Sequence, residues 1–202
     1  MNLTRAFYAR PTLEVARDLI GKVLVHATPA GRASGVIVEA EAYVGETDPA
    51  CHAASGPTRR NAPLYGPPGH AYVYFNYGVH YLVNAVTERR GFPAAVLIRA
   101  LDPLDGVQLM RRRRARGTGR APKEWPVHAL CRGPGNLTRA LGITLRQNRR
   151  DLTGRRLFIE DAGIDPGPVG WSPRVGIRVG TAPQWRVFVA GHPAVSGPRA
   201  HR

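Results

Sequence analysis

Residues 36–43 alternate small apolar side chains with acids and a phenol, a pattern that fits a β-strand and not a helix. The run is Val-Ile-Val-Glu-Ala-Glu-Ala-Tyr, and its functional members are Glu39, Glu41 and Tyr43. Side chains alternate between the two faces of a strand, so these three share one face. Acids two residues apart lie about 7 Å from each other, close enough to raise each other's proton affinity. The run predicts a general base, with an ordinary solvent-exposed sheet face as the alternative.

The charge balance indicates a class of partner. The 202 residues include 29 Lys and Arg against 14 Asp and Glu, a formal net charge of +15. Such an excess favours a polyanion, most simply nucleic acid. An anionic membrane is the weaker alternative, because no long apolar run or basic amphipathic helix occurs. Only Lys22 and Lys123 are lysines, so the preference for arginine can also reflect genomic base composition.

Cysteine usage favours a reducing compartment. Cys51 and Cys131 are too few for a disulfide framework, and the first residues lack the basic-then-apolar plan of a signal peptide. A cytoplasmic location is therefore expected. Cys51 with His52, and His128 with Cys131, match no established zinc spacing, so neither a metal nor another cofactor is expected.

Local patterns predict one mixed α/β domain over residues 1–202. The expected strands lie at 22–27, 34–44, 71–76, 79–87 and 94–100, followed by short strands between 157 and 189. The expected helices lie at 11–20, 104–114 and 137–141. Asn136 is expected to be the N-cap of the last helix. The remaining long segments are expected to be an ordered surface loop at 45–70, a polar connection at 116–126 and a flexible tail at 190–202.

The predicted hairpin is a second element that could form a site. Tyr72, Tyr74 and Asn76 fall on one strand face, and Tyr77 occupies the turn beside Gly78. A large ring at a hairpin tip is poorly placed to bury itself in its own domain. On a basic protein it is well placed to wedge into a stack of bases. The alternatives are a tip tyrosine folded back over its strand and core roles for the other two rings.

Two other segments could contact phosphate groups. The arginines at 111–114 occupy successive helical positions that point around the whole circumference, so a solvated helix end is favoured over direct contact. Gly-Pro-Gly-Asn at 133–136 precedes a helix and could expose N–H groups to a phosphate. An ordinary loop and cap is the equal alternative for this second segment.

Five motifs, in order and spacing, resemble the alkyladenine (3-methyladenine) DNA glycosylase family over about residues 13–189. They are 38–43 with Asp48 and His52, 72–81 with Asn84, 97–104, 131–135 with Leu137, and Arg-Val-Gly at 174–176. The resemblance implies a curved, mostly antiparallel sheet with flanking helices and a protruding hairpin that enters the DNA minor groove. It implies a monomer that acts on double-stranded DNA containing damaged purines and has no membrane partner.

The resemblance also implies catalytic roles. Glu41 would activate the water that hydrolyses the N-glycosidic bond, and Arg99 and the main chain at Val175 would help to hold that water. Tyr77 would fill the gap that the flipped nucleotide leaves in the duplex.

The same resemblance implies a pocket for the flipped base. Asn84 would disfavour normal guanine by crowding its exocyclic amine. The residues implied to line the pocket and stack on the base are Tyr43, His52 and Tyr74.

The implied reaction is excision of alkylated or otherwise damaged purines, such as 3-methyladenine and 7-methylguanine, with hypoxanthine and etheno-adenine as further candidates. A cationic alkylated purine interacts favourably with the face of a tyrosine ring, by about 0.5–2 kcal/mol. Its positive charge also makes it a good leaving group when the glycosidic bond breaks. Lys22 and Lys123 have no motif around them, so no Schiff-base lyase step is expected and an abasic site should remain. Two alternatives stay open: a non-catalytic nucleic-acid-binding protein with the same hairpin wedge, and another hydrolase or transferase on this fold.

Overall fold

The computed structural model describes residues 1–116, 118, 121 and 125–197. Lys123, other parts of the predicted connection 116–126, and residues 198–202 lie outside the described part of the chain. The described strands are β1 (Val23–Thr28), β2 (Gly31–Val44), β3 (Ala71–Asn76), β4 (His80–Val86), β5 (Ala94–Pro103), β6 (Leu157–Glu160), β7 (Val169–Ser172) and β8 (Arg186–Val189). The described α-helices are α1 (Arg5–Tyr8), α2 (Thr12–Leu19), α3 (Val107–Ala115) and α4 (Pro134–Leu141).

The eight strands form one curled antiparallel sheet. Its main path runs β3-β4-β5-β2-β1-β6, and β7 and β8 pair with each other beside β2. Every strand pairing in the described sheet is antiparallel, although helices cover part of it. The predicted mixed α/β domain with a curved antiparallel sheet is confirmed.

The longest strand, β2, forms the centre of the sheet. Its first half pairs with β1, residues Glu39–Glu41 pair with β8, and β5 runs along its other edge. The register with β5 shifts on both sides of Glu39. Such bulges re-aim side chains and are frequent beside active sites. The irregularity therefore falls within the run of acids that the sequence singles out.

A single large core holds β2 and β5 rigidly in place. Ile37 of β2 and Ile98 of β5 are fully buried with Leu19 of α2 and Leu137 of α4. Each aliphatic side chain of this size contributes about 1.5–3 kcal/mol to folding through burial. The acids of β2 and Arg99 of β5 thus start from a well-fixed backbone. None of the described helices is long and apolar enough to cross a membrane.

Helix α4 begins earlier than predicted. Its N-cap is Gly133, and Asn136 lies inside the first turn, where its Nδ2 donates to the Arg132 carbonyl at 2.7 Å. The predicted N-cap role of Asn136 is therefore wrong. Gly135 is required for packing, because a Cβ there would lie only 2.6 Å from the ring of His80, which directly follows the hairpin turn.

The predicted solvated end of α3 is only partly correct. Arg112 is exposed, but Arg113 donates to the Leu141 carbonyl at 2.7 Å and so satisfies the C-terminal end of α4. Arg114 donates to the Asn136 side chain. These two arginines join the helices, which explains why four successive arginines need not all face a ligand or solvent. Helix α3 also begins at Val107 and not at 104, because the Leu104 N–H donates to the Ser34 carbonyl.

The predicted flexible tail is ordered over residues 190–197. Ala194 is fully buried, and the Ser196 N–H donates to the Glu39 carboxylate at 2.7 Å. Arg132 holds the Val195 carbonyl at 3.1 Å. The expectation of flexibility is wrong for this part of the tail, because its main chain supplies partners to a buried acid.

Candidate active site

Both glutamates of β2 are buried on one face of the strand. Glu39 and Glu41 have no solvent-exposed surface, which excludes the alternative of an ordinary wet sheet face. Arg99 of β5 bridges them, with its Nε 2.8 Å from Glu39 Oε1 and its Nη1 3.2 Å from Glu41 Oε2. The shared guanidinium confirms that the two side chains point the same way. The pair therefore forms a charged centre inside the sheet and not a surface cluster.

Glu41 is held by three donors from three parts of the chain. The Val175 N–H donates to its Oε1 at 2.7 Å, and the Tyr43 hydroxyl and Arg99 both donate to its Oε2. Three donors occupy most of the roughly four acceptor positions of a carboxylate. Burial, followed by the adjacent Glu41 charge, raises the pKa of Tyr43, so this hydroxyl stays protonated and remains a donor.

Glu39 has a different set of partners. It accepts from Arg99, from Arg186 Nε at 2.7 Å and from the Ser196 N–H at 2.7 Å. Burial by itself would raise the pKa of Glu39, but the charges of Arg99 and Arg186 and these hydrogen bonds outweigh it and lower the pKa. Glu39 is therefore ionised at neutral pH and serves as a structural acid. Its partners Arg186 and Ser196 were not among the predicted site residues.

Aromatic rings form one wall of a cleft of about 450 Å³ in front of these acids. The predicted pocket residues Tyr43, His52 and Tyr74 line it, together with Arg99 and Val175. The His52 and Tyr74 rings are 4.5 Å apart in an edge-to-face arrangement. Burial, and then the charge of Arg60, lowers the pKa of His52, which favours a neutral imidazole. The structure thus brings five predicted residues to one cleft.

Tyr72 and Asn84 support this wall from behind. The Tyr72 hydroxyl shares a hydrogen bond with His52 Nδ1 at 2.9 Å, and its ring lies 5.2 Å from that of Tyr74. Asn84 donates from Nδ2 to the Tyr72 carbonyl at 3.0 Å. Asn84 lines a small adjoining cavity of about 30 Å³, which also touches Tyr43 and His52. The predicted base-discriminating residue is therefore at the inner end of the aromatic wall.

Tyr77 lies at the tip of the β3–β4 hairpin and is 84% exposed. The alternative in which its ring folds back over the strand is excluded. Tyr77 and Gly78 have φ angles of +49° and +67°, as a type I′ hairpin turn requires. A bulky residue rarely adopts that conformation. The tip therefore presents a large ring at some conformational cost, beside the same cleft, which Tyr77 also lines.

A buried ion pair joins the loop after β2 to the segment before β8. Arg174 donates to both oxygens of Asp48, at 2.6 and 2.7 Å, and to the Ala42 carbonyl at 3.0 Å. Its guanidinium lies 4.6 Å from the centre of the Tyr43 ring and 5.0 Å from that of Trp185. Since Val175 follows Arg174 directly, this pair fixes the backbone that donates to Glu41. The sequence motifs contained Asp48 and Arg174, but local patterns did not indicate that they pair.

The segment at 133–136 also borders the cleft, so its glycines lie near any ligand there. Both cysteines are buried free thiols. Within the described residues, no group of three or more His, Cys, Asp or Glu side chains could hold a metal ion.

Comparison with known proteins places this arrangement in a family. The family model described as methylpurine-DNA glycosylase matches residues 6–193. A protein of Chlorobaculum tepidum is 45% identical over 94% of this chain and 88% of its own length. Proteins of Methanocella arvoryzae and Rubrobacter xylanophilus are 46% and 48% identical, over 96% and 90% of this chain and 95% and 90% of their own lengths. All three bear the name "Putative 3-methyladenine DNA glycosylase". The chain belongs to the methylpurine-DNA glycosylase family.

Proposed function

We propose that this protein excises alkylated purines from double-stranded DNA, with Glu41 as the base that activates the hydrolytic water. The observation that supports this most is the placement of Glu41 behind an aromatic cleft, with Arg99, Tyr43 and the Val175 N–H all donating to it. Family membership supports a DNA glycosylase, a hydrolase of base-excision repair.

The first step is extrusion of the damaged nucleotide. Tyr77 enters the minor groove on the protruding hairpin and occupies the vacated place in the stack. Extrusion costs a few kcal/mol and costs less for a damaged base. The exposed ring and its hydrogen-bonded turn, in which the Val79 N–H donates to the Asn76 carbonyl at 3.1 Å, support this role, because neither buries apolar surface within the domain itself.

The flipped base then enters the aromatic cleft. A 3- or 7-alkylated purine is cationic, and the electron-rich faces of Tyr43 and Tyr74 attract it by about 0.5–2 kcal/mol. A neutral His52 adds stacking surface without adding a repelling charge. Asn84, held by the Tyr72 carbonyl, crowds the exocyclic amine of normal guanine. Selectivity for alkylated bases thus combines charge and shape.

Bond cleavage needs a water beside the sugar carbon. The three donors leave about one acceptor position of the Glu41 carboxylate free. At that position the carboxylate accepts a proton from the water. Arg99 helps to hold the water, and the carboxylate charge stabilises an oxocarbenium-like transition state. The cationic base departs with little help from a general acid. We expect no lyase step, since Lys22, the one lysine among the described residues, is paired with Asp161 at 2.6 Å and does not line this cleft.

Release of free base from alkylated duplex DNA tests the proposed function. Release of 3-methyladenine or 7-methylguanine, leaving alkali-labile abasic sites and no spontaneous strand break, is the expected result. A panel that adds hypoxanthine and etheno-adenine defines the range of substrates. Tight binding without release of any base would support the non-catalytic alternative, and release that does not require a duplex would support a different hydrolase.

Replacing Tyr77 with Ala should weaken lesion-duplex binding and slow excision at limiting enzyme. Ala has the same difficulty as Tyr in the left-handed backbone, so the substitution removes the ring without relieving strain. Mismatched or bulged targets should lose less than paired ones, because less extrusion work is needed. Single-turnover excision across these contexts provides the measurement, with Leu104→Ala, which removes an exposed apolar side chain away from the cleft, as the control. Equal slowing in every context would contradict the wedge.

A further inference from the structure

Two further clefts follow the active-site cleft along the surface of the protein. The first cleft shares His80 and Gly135 with a second, of about 430 Å³, on the other side of the hairpin near its tip. That cleft shares Gly142 and Thr144 with a third, of about 440 Å³, next to the end of β1. The three clefts thus lie in a row that begins at Tyr77 and passes the C-terminal end of α4, with the packed His80 and Gly135 between the first two.

Arginines line this depression beyond the active site. The second cleft contains Arg113, Arg116 and Arg139, and the third contains Arg146, Arg150 and Arg156. Among the described residues that line these two clefts, none is Asp or Glu. We call the second and third clefts together the arginine groove.

The three arginines of the third cleft are exposed. None of them takes part in a salt bridge found within the described ranges of the chain. Nearby acids are already engaged elsewhere. Asp151, the residue after Arg150, accepts from Arg5 at 2.6 Å, and Glu160 accepts from Arg32 at 2.7 Å. The cleft is therefore a local concentration of positive charge that the fold leaves without a counter-charge.

We propose that the arginine groove binds the phosphate backbone of duplex DNA on one side of the flipped nucleotide. This inference rests on the proposed function, which places the damaged nucleotide at the cleft beside Tyr77. A duplex held there must pass on both sides of the hairpin, and the arginine groove extends from the hairpin tip on one of these sides. Guanidinium groups bind phosphate oxygens through paired N–H donors, so the exposed arginines of the third cleft, which take part in no salt bridge within the described ranges, match the ligand.

The decisive variant is the triple substitution Arg146→Ala, Arg150→Ala and Arg156→Ala. Each lost phosphate contact should reduce the slope of log K against log salt by roughly 0.9, so three should reduce it by roughly 2.7. We expect affinity for a long duplex with a central abasic-site analogue to fall roughly tenfold or more at low salt. Arg150→Glu alone should act in the same direction, which guards against an effect of the triple change on folding.

A charge-matched control is the triple substitution Arg17→Ala, Arg89→Ala and Arg90→Ala. These arginines are also exposed, and none of them lines the active-site cleft or the arginine groove. In this control, the slope of log K against log salt should stay close to that of the unaltered protein. Only a small change is expected, from the lower overall charge. If both triple variants change the slope equally, net charge explains the binding and the arginine groove does not.

The position of the lesion tests the direction of the groove. In a series of duplexes of constant length, the abasic-site analogue is moved towards each end in turn. When the duplex on one side of the analogue becomes short, the affinity difference between the unaltered protein and the triple groove variant should vanish. When the duplex on the other side becomes short, the difference should persist. An equal dependence on both flanks, or none, would overturn the inference. Base release by the unaltered protein is measured in parallel, because its absence would contradict the proposed function and leave this binding comparison intact.

Discussion

Glu41→Gln is expected to lower the rate of base release by about 10²- to 10⁴-fold while binding to abasic-site DNA persists. The amide keeps the shape of the side chain but cannot take a proton from water. Whichever way it turns, it presents an N–H group to Val175 or to Arg99, which costs about 1–3 kcal/mol of folding stability. Single-turnover excision at saturating enzyme separates the chemical step from binding, and thermal unfolding reports the stability.

Glu39→Gln provides the matched comparison two residues away. Its carboxylate faces two arginines and a backbone N–H, so loss of the charge should destabilise the fold by about 3–5 kcal/mol. Excision per folded molecule should fall much less than in Glu41→Gln. Equal losses of excision in the two variants, or an active Glu41→Gln, would contradict the assignment of the base to Glu41.

Glu39 should also contribute to acid sensitivity. Its pKa is lowered in the folded protein, so its stabilising effect is complete above the ordinary glutamate range and is lost as pH falls through that range towards the folded pKa. In Glu39→Gln this part of the acid dependence should be missing. Unfolding free energies measured from neutral to acidic pH provide the comparison.

Local alternation was sufficient to place Glu39, Glu41 and Tyr43 on one face, because the period of a strand depends only on neighbouring residues. Their burial could not be obtained in this way. The donors that make burial possible come from far along the chain: Arg186 is 147 residues from Glu39, and Ser196 is 157 residues away. No local pattern marks such partners, which is why residues 190–197 were expected to be flexible.

The same limit of local patterns explains the incorrect predictions for the arginines at 111–114 and for the start of helix α4. Helical geometry correctly indicates that four successive side chains cannot share one face. It does not show that a neighbouring helix lies beside two of them, where Arg113 meets the Leu141 carbonyl and Arg114 meets Asn136. Asn136 thus has tertiary partners that a capping rule does not consider. The motif resemblance did bring the cleft residues together, because it draws on whole-fold information that local periodicity lacks.

Asp48→Asn is expected to destabilise the protein by about 3–5 kcal/mol and to impair excision as well. The substitution leaves the buried Arg174 guanidinium without its carboxylate partner. Arg174 directly precedes Val175, so any shift of this segment moves the N–H that donates to Glu41. Asp18→Asn, which breaks the half-exposed pair with Arg10, is the control and should cost no more than about 1 kcal/mol.

The combined substitution Asp48→Leu with Arg174→Met separates stability from positioning. Replacing a buried ion pair with apolar side chains of similar size often restores stability. It cannot restore the donations to the Ala42 and Gly180 carbonyls, or the stacking on Tyr43, that hold the segment before Val175. We therefore expect thermal stability above that of Asp48→Asn, because no unpaired buried charge remains, with slow single-turnover excision and little change in binding. Full recovery of excision together with stability would show that the pair supports the fold only and does not position the Val175 N–H beside Glu41.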